Sequence, residues 1–220
     1  MARRPSPHMQ LSDVEVRILG CLMEKEATTP DTYPLSLNAL TSACNQLSNR
    51  EPVMSLGEDQ VKWAVNNLRQ QSLVRAIQPS DARVMKFLHL LTEKLDLDQP
   101  ARAVLSVLML RGQQTLGEIK TRTNRLAEFT SVADVDAAVR GLIARELVVE
   151  MARQPGQKEI RFAHLLSGPP TAAPADAQVE IAAAEPRRDR IAELEASLDE
   201  LRRELAELRS QFEEFTRQFS

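Results

Sequence analysis

An internal repeat constrains this chain more than any other feature. Residues 61–91 and 135–166 each pass from helical apolar spacing (Val61, Val65 and Leu68; Val135, Val139 and Leu142) into a Leu-Val pair and a short strand. Each then turns and ends in Phe-x-His-Leu-Leu, at Phe87–Leu91 and Phe162–Leu166. The copies differ by one residue in length, and the difference falls in the turn, where insertions disturb least. Two copies are too few for a solenoid, so the repeat reads as a tandem of two similar domains.

Each copy carries more helix upstream. Ser12 and Glu15 match a capping box, and Val14, Ile18 and Leu22 behind them line one face. A second helix is expected from about Ser36 to Leu47 through Leu37, Leu40 and Leu47, and Ser55 with Glu58 is expected to open the helix holding Trp63 and Leu68. In the second copy Asp98 and Pro100 suit a helix start, with Val104, Leu105 and Leu108 in its core. Leu116 and Ile119 mark a short middle helix, and Ser131 with Asp134 opens the third. Strands at 147–152 and 159–166 flank Gln154-Pro155-Gly156-Gln157, whose central Pro-Gly favours a type II turn. Three helices and a hairpin, twice over, is the winged-helix order. The expected fold class is therefore mainly α with small β-hairpins (α+β): winged-helix domains over 11–95 and 96–167, after a disordered stretch at 1–10.

Past residue 167 the composition changes. Residues 168–189 are rich in Pro and Ala and poor in large apolar groups, as in a flexible linker. Ile191, Leu194, Leu198, Leu201, Leu205, Leu208, Phe212, Phe215 and Phe219 then alternate spacings of three and four, a heptad seam of ~43 Å at ~1.5 Å per residue. With Ile191 at position a, Arg190 with Glu195 and Glu204 with Arg209 are attractive pairs in a parallel dimer. Residues 190–220 are therefore expected to form a parallel self-associating coiled coil and make the protein a homodimer. The competing reading is a lone amphipathic helix folded back on the body.

Composition removes several functions. No apolar run approaches the ~18–20 residues of a membrane span, and the basic N-terminus lacks the apolar core of a signal peptide. Two cysteines, Cys21 and Cys44, fit a reducing compartment, and a cytoplasmic location is expected. No glycine motif is present to cradle a nucleotide. The net charge of −3 is unevenly placed: residues 11–95 carry nine basic and ten acidic groups, residues 96–167 ten and nine, and residues 168–220 seven and twelve. Neither copy has the cationic excess of an obligate phosphate binder, so any nucleic-acid contact must rest on local patches.

The most distinctive stretch is residues 28–54, TTPDTYPLSLNALTSACNQLSNREPVM. It resembles the YceH-type family of uncharacterised bacterial proteins, whose members share TTPxxYPLSLNAL, ACNQ and SNREPVM. The resemblance extends through about Ser167 and implies a tandem winged-helix body without assigning an activity; the linker and heptads are expected to lie beyond the shared core. Thr29 and Tyr33, with Pro30 and Pro34, make a stiff connector, and Ser36 can cap the helix that follows. Asn38, Asn45, Asn49 and Arg50 can either pin a loop through backbone hydrogen bonds or present a surface to DNA or protein.

For DNA, Lys62, Asn66 and Arg69 share the face of the first third helix opposite its apolar stripe, and Asn and Arg can read adenine and guanine. Arg83 and Lys86 lie on or just after the first wing. Glu58 and Asp59, at the helix start, oppose phosphate. The second third helix, with Asp134, Asp136, Ala137 and Ala138, offers little to bases. Its copy instead carries Lys120, Arg122 and Arg125 on the middle helix and Arg153 and Lys158 around the wing, which can position a backbone without reading sequence.

His89 and His164 occupy equivalent places on apolar strand faces and read as hydrogen-bonded core histidines. No HxH, HExxH or CxxC accompanies them, so no metal and no cofactor are expected. Cys21 and Cys44 read as small buried side chains, and Trp63 as core or an inter-element contact. The run Ala103–Leu110 is apolar nearly all round and is expected to be buried on two sides. No catalytic constellation is visible. The chain reads as non-enzymatic, a dimeric DNA-binding protein in a regulatory or nucleoid-associated role. A module binding protein partners through winged helices and heptads is the alternative.

Overall fold

Two helices that are apolar around most of their circumference organise the molecule: α1 (Asp13–Thr28) and α5 (Gln99–Arg111). Every residue from Glu15 to Met23 and from Ala103 to Leu110 is buried. Such helices must be covered on several sides, and each is covered in part by the other. Gly20 makes the approach possible, since a methyl group there would stand 2.9 Å from Leu110 Cδ2 and 3.2 Å from Met109 Cβ. The computed structural model describes residues 10–78, 84–153 and 159–170. The expected N-terminal disorder, Arg83 at the first wing, the Gln154–Gln157 turn with Lys158, the linker beyond residue 170 and the heptads from Ile191 to Phe219 lie outside them.

The described residues are mainly helical with small antiparallel sheets. The first copy runs α1, a short 3₁₀ turn (Pro30–Thr32), β1 (Leu35–Ser36), α2 (Leu37–Cys44), α3 (Glu58–Gln70), β2 (Val74–Ile77) and β3 (Lys86–His89). A four-residue helix α4 (Leu91–Lys94) leads into α5, and α6 (Leu116–Thr123), α7 (Val132–Ala144), β4 (Val148–Glu150) and β5 (Phe162–His164) follow. Three helices and a hairpin thus occur twice. In the first copy β3 pairs with β2 on one side and β1 on the other, with Phe87 opposite both Ala76 and Leu35. In the second, Gln114 and Phe162 exchange backbone hydrogen bonds at 2.8 and 3.0 Å, a single bridge where the first copy has β1.

Helix starts follow the local chemistry. The Ser12 hydroxyl accepts from Glu15 N while Glu15 reaches back to Ser12 N at 2.8 Å. Ser36, Asp98, Thr115 and Ser131 cap α2, α5, α6 and α7 in the same manner, each side-chain oxygen taking an amide hydrogen the helix cannot satisfy. Two expected boundaries are corrected. The cap of α3 is Gly57, whose amide donates to Gln60 Oε1 at 2.9 Å, and Ser55 lies outside the helix. The second helix ends at Cys44 rather than Leu47, which is 85% exposed in the following loop. Asn45 stops it by pairing its side-chain amide with both backbone groups of Leu56, each bond 2.8 Å.

One contiguous hydrophobic core runs through both copies, from Leu11 to Leu166. Leu11 N donates to Leu166 O at 2.8 Å, tying the first described residues to the segment just past β5.

Candidate nucleic-acid interface

On α3, Val61, Ala64, Val65 and Leu68 are buried, at the spacing of one helical stripe. The remaining arc is outward: Lys62, Trp63, Asn66 and Arg69 are exposed. Arg69 Nη1 donates to Asn66 Oδ1 at 3.3 Å, an (i, i+3) contact that holds both side chains on that arc. Arg75 on β2 is also exposed, and Lys86, half-buried on β3, stands opposite Ile77. Lys62, Arg69, Arg75 and Lys86 form no ion pair among the described residues. Glu58 and Asp59 are exposed at the amino end of the same helix, so the arc is positive only over its later turns.

Trp63 is a correction. It is 66% exposed, not a core residue. The signal was available, because the stripe through Val61, Val65 and Leu68 leaves position 63 on the opposite side.

The equivalent helix of the second copy is different. Arg140 on α7 lies 3.3 Å from Asp136 and 2.8 Å from Glu150, with its guanidinium 5.9 Å from the centre of the Phe162 ring. Asp134 accepts hydrogen bonds from Thr130 and Ser131, which hold its carboxyl below the usual range. Lys120 donates to Thr130 O at 3.2 Å and ties the loop before α7; Arg122 pairs with Glu118 at 3.6 Å, and Arg125 is exposed. The two sets of cations therefore face different surroundings, and among the described residues no basic surface is repeated between the copies.

The residues of the 28–54 stretch divide. Thr29 and Asn38 are exposed; Tyr33 is half-buried and its hydroxyl accepts from His89 N at 2.9 Å. Asn49 is exposed with φ +62°, and its Oδ1 accepts from Arg111. Arg50 takes the first of the two alternatives, pinning the loop from inside rather than presenting a surface. Its guanidinium is fully buried, binding Glu24 through both carboxylate oxygens at 2.5 and 3.3 Å and donating to Ala43 O, Asn49 O and Gln46 Oε1. A buried guanidinium needs acceptors for its hydrogens, and the loop supplies them. Glu51 N adds a 2.8 Å bond to Leu110 O, so the loop also grips the end of α5.

Sequence reasoning missed Arg17 altogether. It is buried between Val16 and Ile18 and donates to Cys44 O at 3.1 Å and Pro52 O at 2.6 Å, closing the loop against α1. A lone arginine inside an apolar helix was the available sign. Cys21 donates to Ala43 O at 3.3 Å beside it, and both thiols are buried and free. The hydrogen bond with Cys21, together with burial, pushes the Cys44 thiol up.

The two histidines part ways. His89 is buried with Nε2 3.1 Å from Glu26, whose carboxyl also takes Arg102 at 2.8 Å; His89 and Arg102 hold that carboxyl below the ordinary range. Burial pushes His164 down to about 4, and its Nδ1 is buried without a hydrogen-bond partner, contrary to the expected hydrogen-bonded core histidine. Among the described residues no three His, Cys, Asp or Glu side chains cluster to hold a metal, and no helix is long and apolar enough to cross a membrane.

Comparison with known sequences agrees with the motif. The family model described as "Protein of unknown function, DUF480" matches residues 11–157. A UPF0502 protein of Herminiimonas arsenicoxydans, HEAR1280, is 46% identical over 97% of this chain and 92% of its own length. GSU0233 of Geobacter sulfurreducens is 47% identical, covering 84% of this chain and 87% of the relative. VS_II0353 of Vibrio atlanticus is 46% identical over 88% and 93%. The family model ends at residue 157, within the expected shared core, while the Herminiimonas match runs on into the heptad segment. With a family model over most of the body and relatives near 46% identity along most of the chain, this protein belongs to the DUF480 (UPF0502) family.

Proposed function

We propose that this protein is a non-enzymatic DNA-binding protein that docks α3 of its first copy against a duplex, in a regulatory or nucleoid-associated role. The observation carrying the reading is the exposed arc of Lys62, Asn66 and Arg69, two cations and an amide on one helix face with no carboxylate pairing either cation among the described residues. Side chains of these types at this spacing serve base edges and phosphates together. Arg75 on β2 and Lys86 on β3 supply further phosphate contacts. On this reading the heptads of 190–220 join two chains, so that two such arcs meet one duplex, and the protein works in the cytoplasm.

Fluorescence anisotropy on mixed genomic duplex fragments, titrated across salt, tests the reading. About three to five phosphate contacts predict a slope of roughly −2.7 to −4.5 in log K against log salt. Lys62→Ala with Arg69→Ala should lower both affinity and slope. Absence of binding at low salt rejects the reading.

The exposed Trp63, beside that arc on the outward side of α3, favours a second reading, a protein partner seated on α3. Trp63→Ala separates the two. It removes a protein partner's anchor while leaving the salt-dependent part of DNA binding in place.

A further inference from the structure

A cleft of about 680 Å³ lies where the two copies meet, away from the outward arc of α3. Its walls are the end of α1, the loop after α2, the end of α5 and the end of α6. Lys25 of α1, Arg111 of α5, Arg122 of α6 and Arg125 line it, the last in the turn just past the end of α6 at Thr123 rather than on the middle helix as its sequence suggested, and Val107, Leu110 and Leu126 give it an apolar floor. Its one acidic lining residue, Glu24, is already engaged with the buried Arg50.

Four cations close together need a reason. Complementing helix ends is one, since Lys25, Arg111 and Arg122 each sit in the last turn of a helix. Three helix C-termini supply roughly −1.5 charges between them, and Glu118 beside Arg122 supplies one more. Four positive groups exceed that. The excess is felt at Arg111, whose charge is disfavoured by burial and then by Arg122. Arg111 is also held in place, donating to Asn49 Oδ1 across the cleft wall. Neither Lys25 nor Arg125 pairs with a carboxylate among the described residues.

We infer that this cleft binds a small phosphorylated metabolite, its phosphates on Arg111, Arg122, Arg125 and Lys25 and its non-phosphate part on the apolar floor. Phosphate matches the forked guanidinium donors, and a recessed cleft suits a small molecule better than the backbone of a duplex. The inference is independent of the DNA reading, because it uses none of Lys62, Asn66 or Arg69. A ligand held between the copies also touches the end of α1 and the loop that grips α5, so binding it stiffens the joint between them.

Isothermal titration of the full chain with inorganic pyrophosphate, and then with adenosine triphosphate as a probe carrying a planar body, tests this. Saturable one-site binding is expected, about ten-fold weaker in Arg125→Gln and in Lys25→Met, because each loses one charge-assisted contact. Arg125 is exposed, Lys25 half-buried, and neither pairs with a carboxylate among the described residues, so the variants should melt as the parent does. Lys62→Ala with Arg69→Ala should leave the titration unchanged, whatever its effect on DNA. No saturable binding of either probe up to millimolar concentration overturns the inference. Equal affinity in the parent, Arg125→Gln and Lys25→Met overturns it as well.

Discussion

Arg50 and Glu24 lie twenty-six positions apart in sequence and meet in a two-pronged ion pair, at 2.5 and 3.3 Å, that clamps the loop after α2 onto α1. Arg50 is fully buried there and Glu24 nearly so, with 16% of its side chain exposed. Removing either partner leaves the other poorly solvated, but the two losses are unequal.

Arg50→Met should destabilise the protein by about 3–5 kcal/mol, since it strands a carboxylate and two backbone carbonyls together. Glu24→Gln should cost about 1–3 kcal/mol, because the amide oxygen still accepts from Arg50. Urea denaturation at pH 7 measures both. The reverse order would show that the loop is held by other contacts.

Asn49 adopts a left-handed backbone with φ +62°. Asn49→Gly and Asn49→Ala both lose the bond from Arg111, so the difference between them isolates the backbone. Alanine should be less stable than glycine by about 1 kcal/mol. Equal melting temperatures would refute the strain assigned to this position.

At Gly20 the whole interface between α1 and α5 is at stake. Gly20→Ala brings a methyl group within 2.9 Å of Leu110 and should cost about 1–3 kcal/mol. Adding Leu110→Ala should recover part of that loss, a coupling that a double-mutant cycle reads directly. Independent, additive effects would mean that the two positions do not touch.

His164 predicts a pH dependence. Burial lowers its pKa from 6.5 to about 4, so the unfolded chain binds the proton more readily than the native one. Stability should therefore be complete above pH 6.5 and decline as pH falls toward 4, by up to about 3 kcal/mol. Asp13, the one charged group acting on it, opposes the shift weakly. His164→Gln should flatten the decline between pH 6.5 and 4.5, above the range where Glu26 begins to protonate. An unchanged profile in the variant would place the titration elsewhere.

What could be read in the sequence was local. Helix starts depend on a hydroxyl or carboxylate three residues before an amide, and Ser12, Ser36, Asp98 and Ser131 announce them without help from the rest of the chain. The repeat likewise declared two similar hairpins. Leu47 and Ser55 misled because the same local rules were applied across a segment that long-range bonds control: Asn45 is held by Leu56, eleven residues on, and Arg17 reaches Pro52. The cleft with Arg111 and Lys25 was hidden for the same reason, since its walls come from four separate elements. Trp63 was misplaced by residue type alone, although the spacing around it pointed outward.

The burial of α5 on every side has a consequence for how the chain can be handled. A fragment ending near residue 95 would bare the face of α1 around Gly20, and one beginning there would bare Ala103–Leu110. Each would be a sticky half rather than a module. The two copies should melt together in a single cooperative step, and the smallest piece of them able to stand by itself is the pair. Neither copy can be grafted or exchanged without bringing its twin.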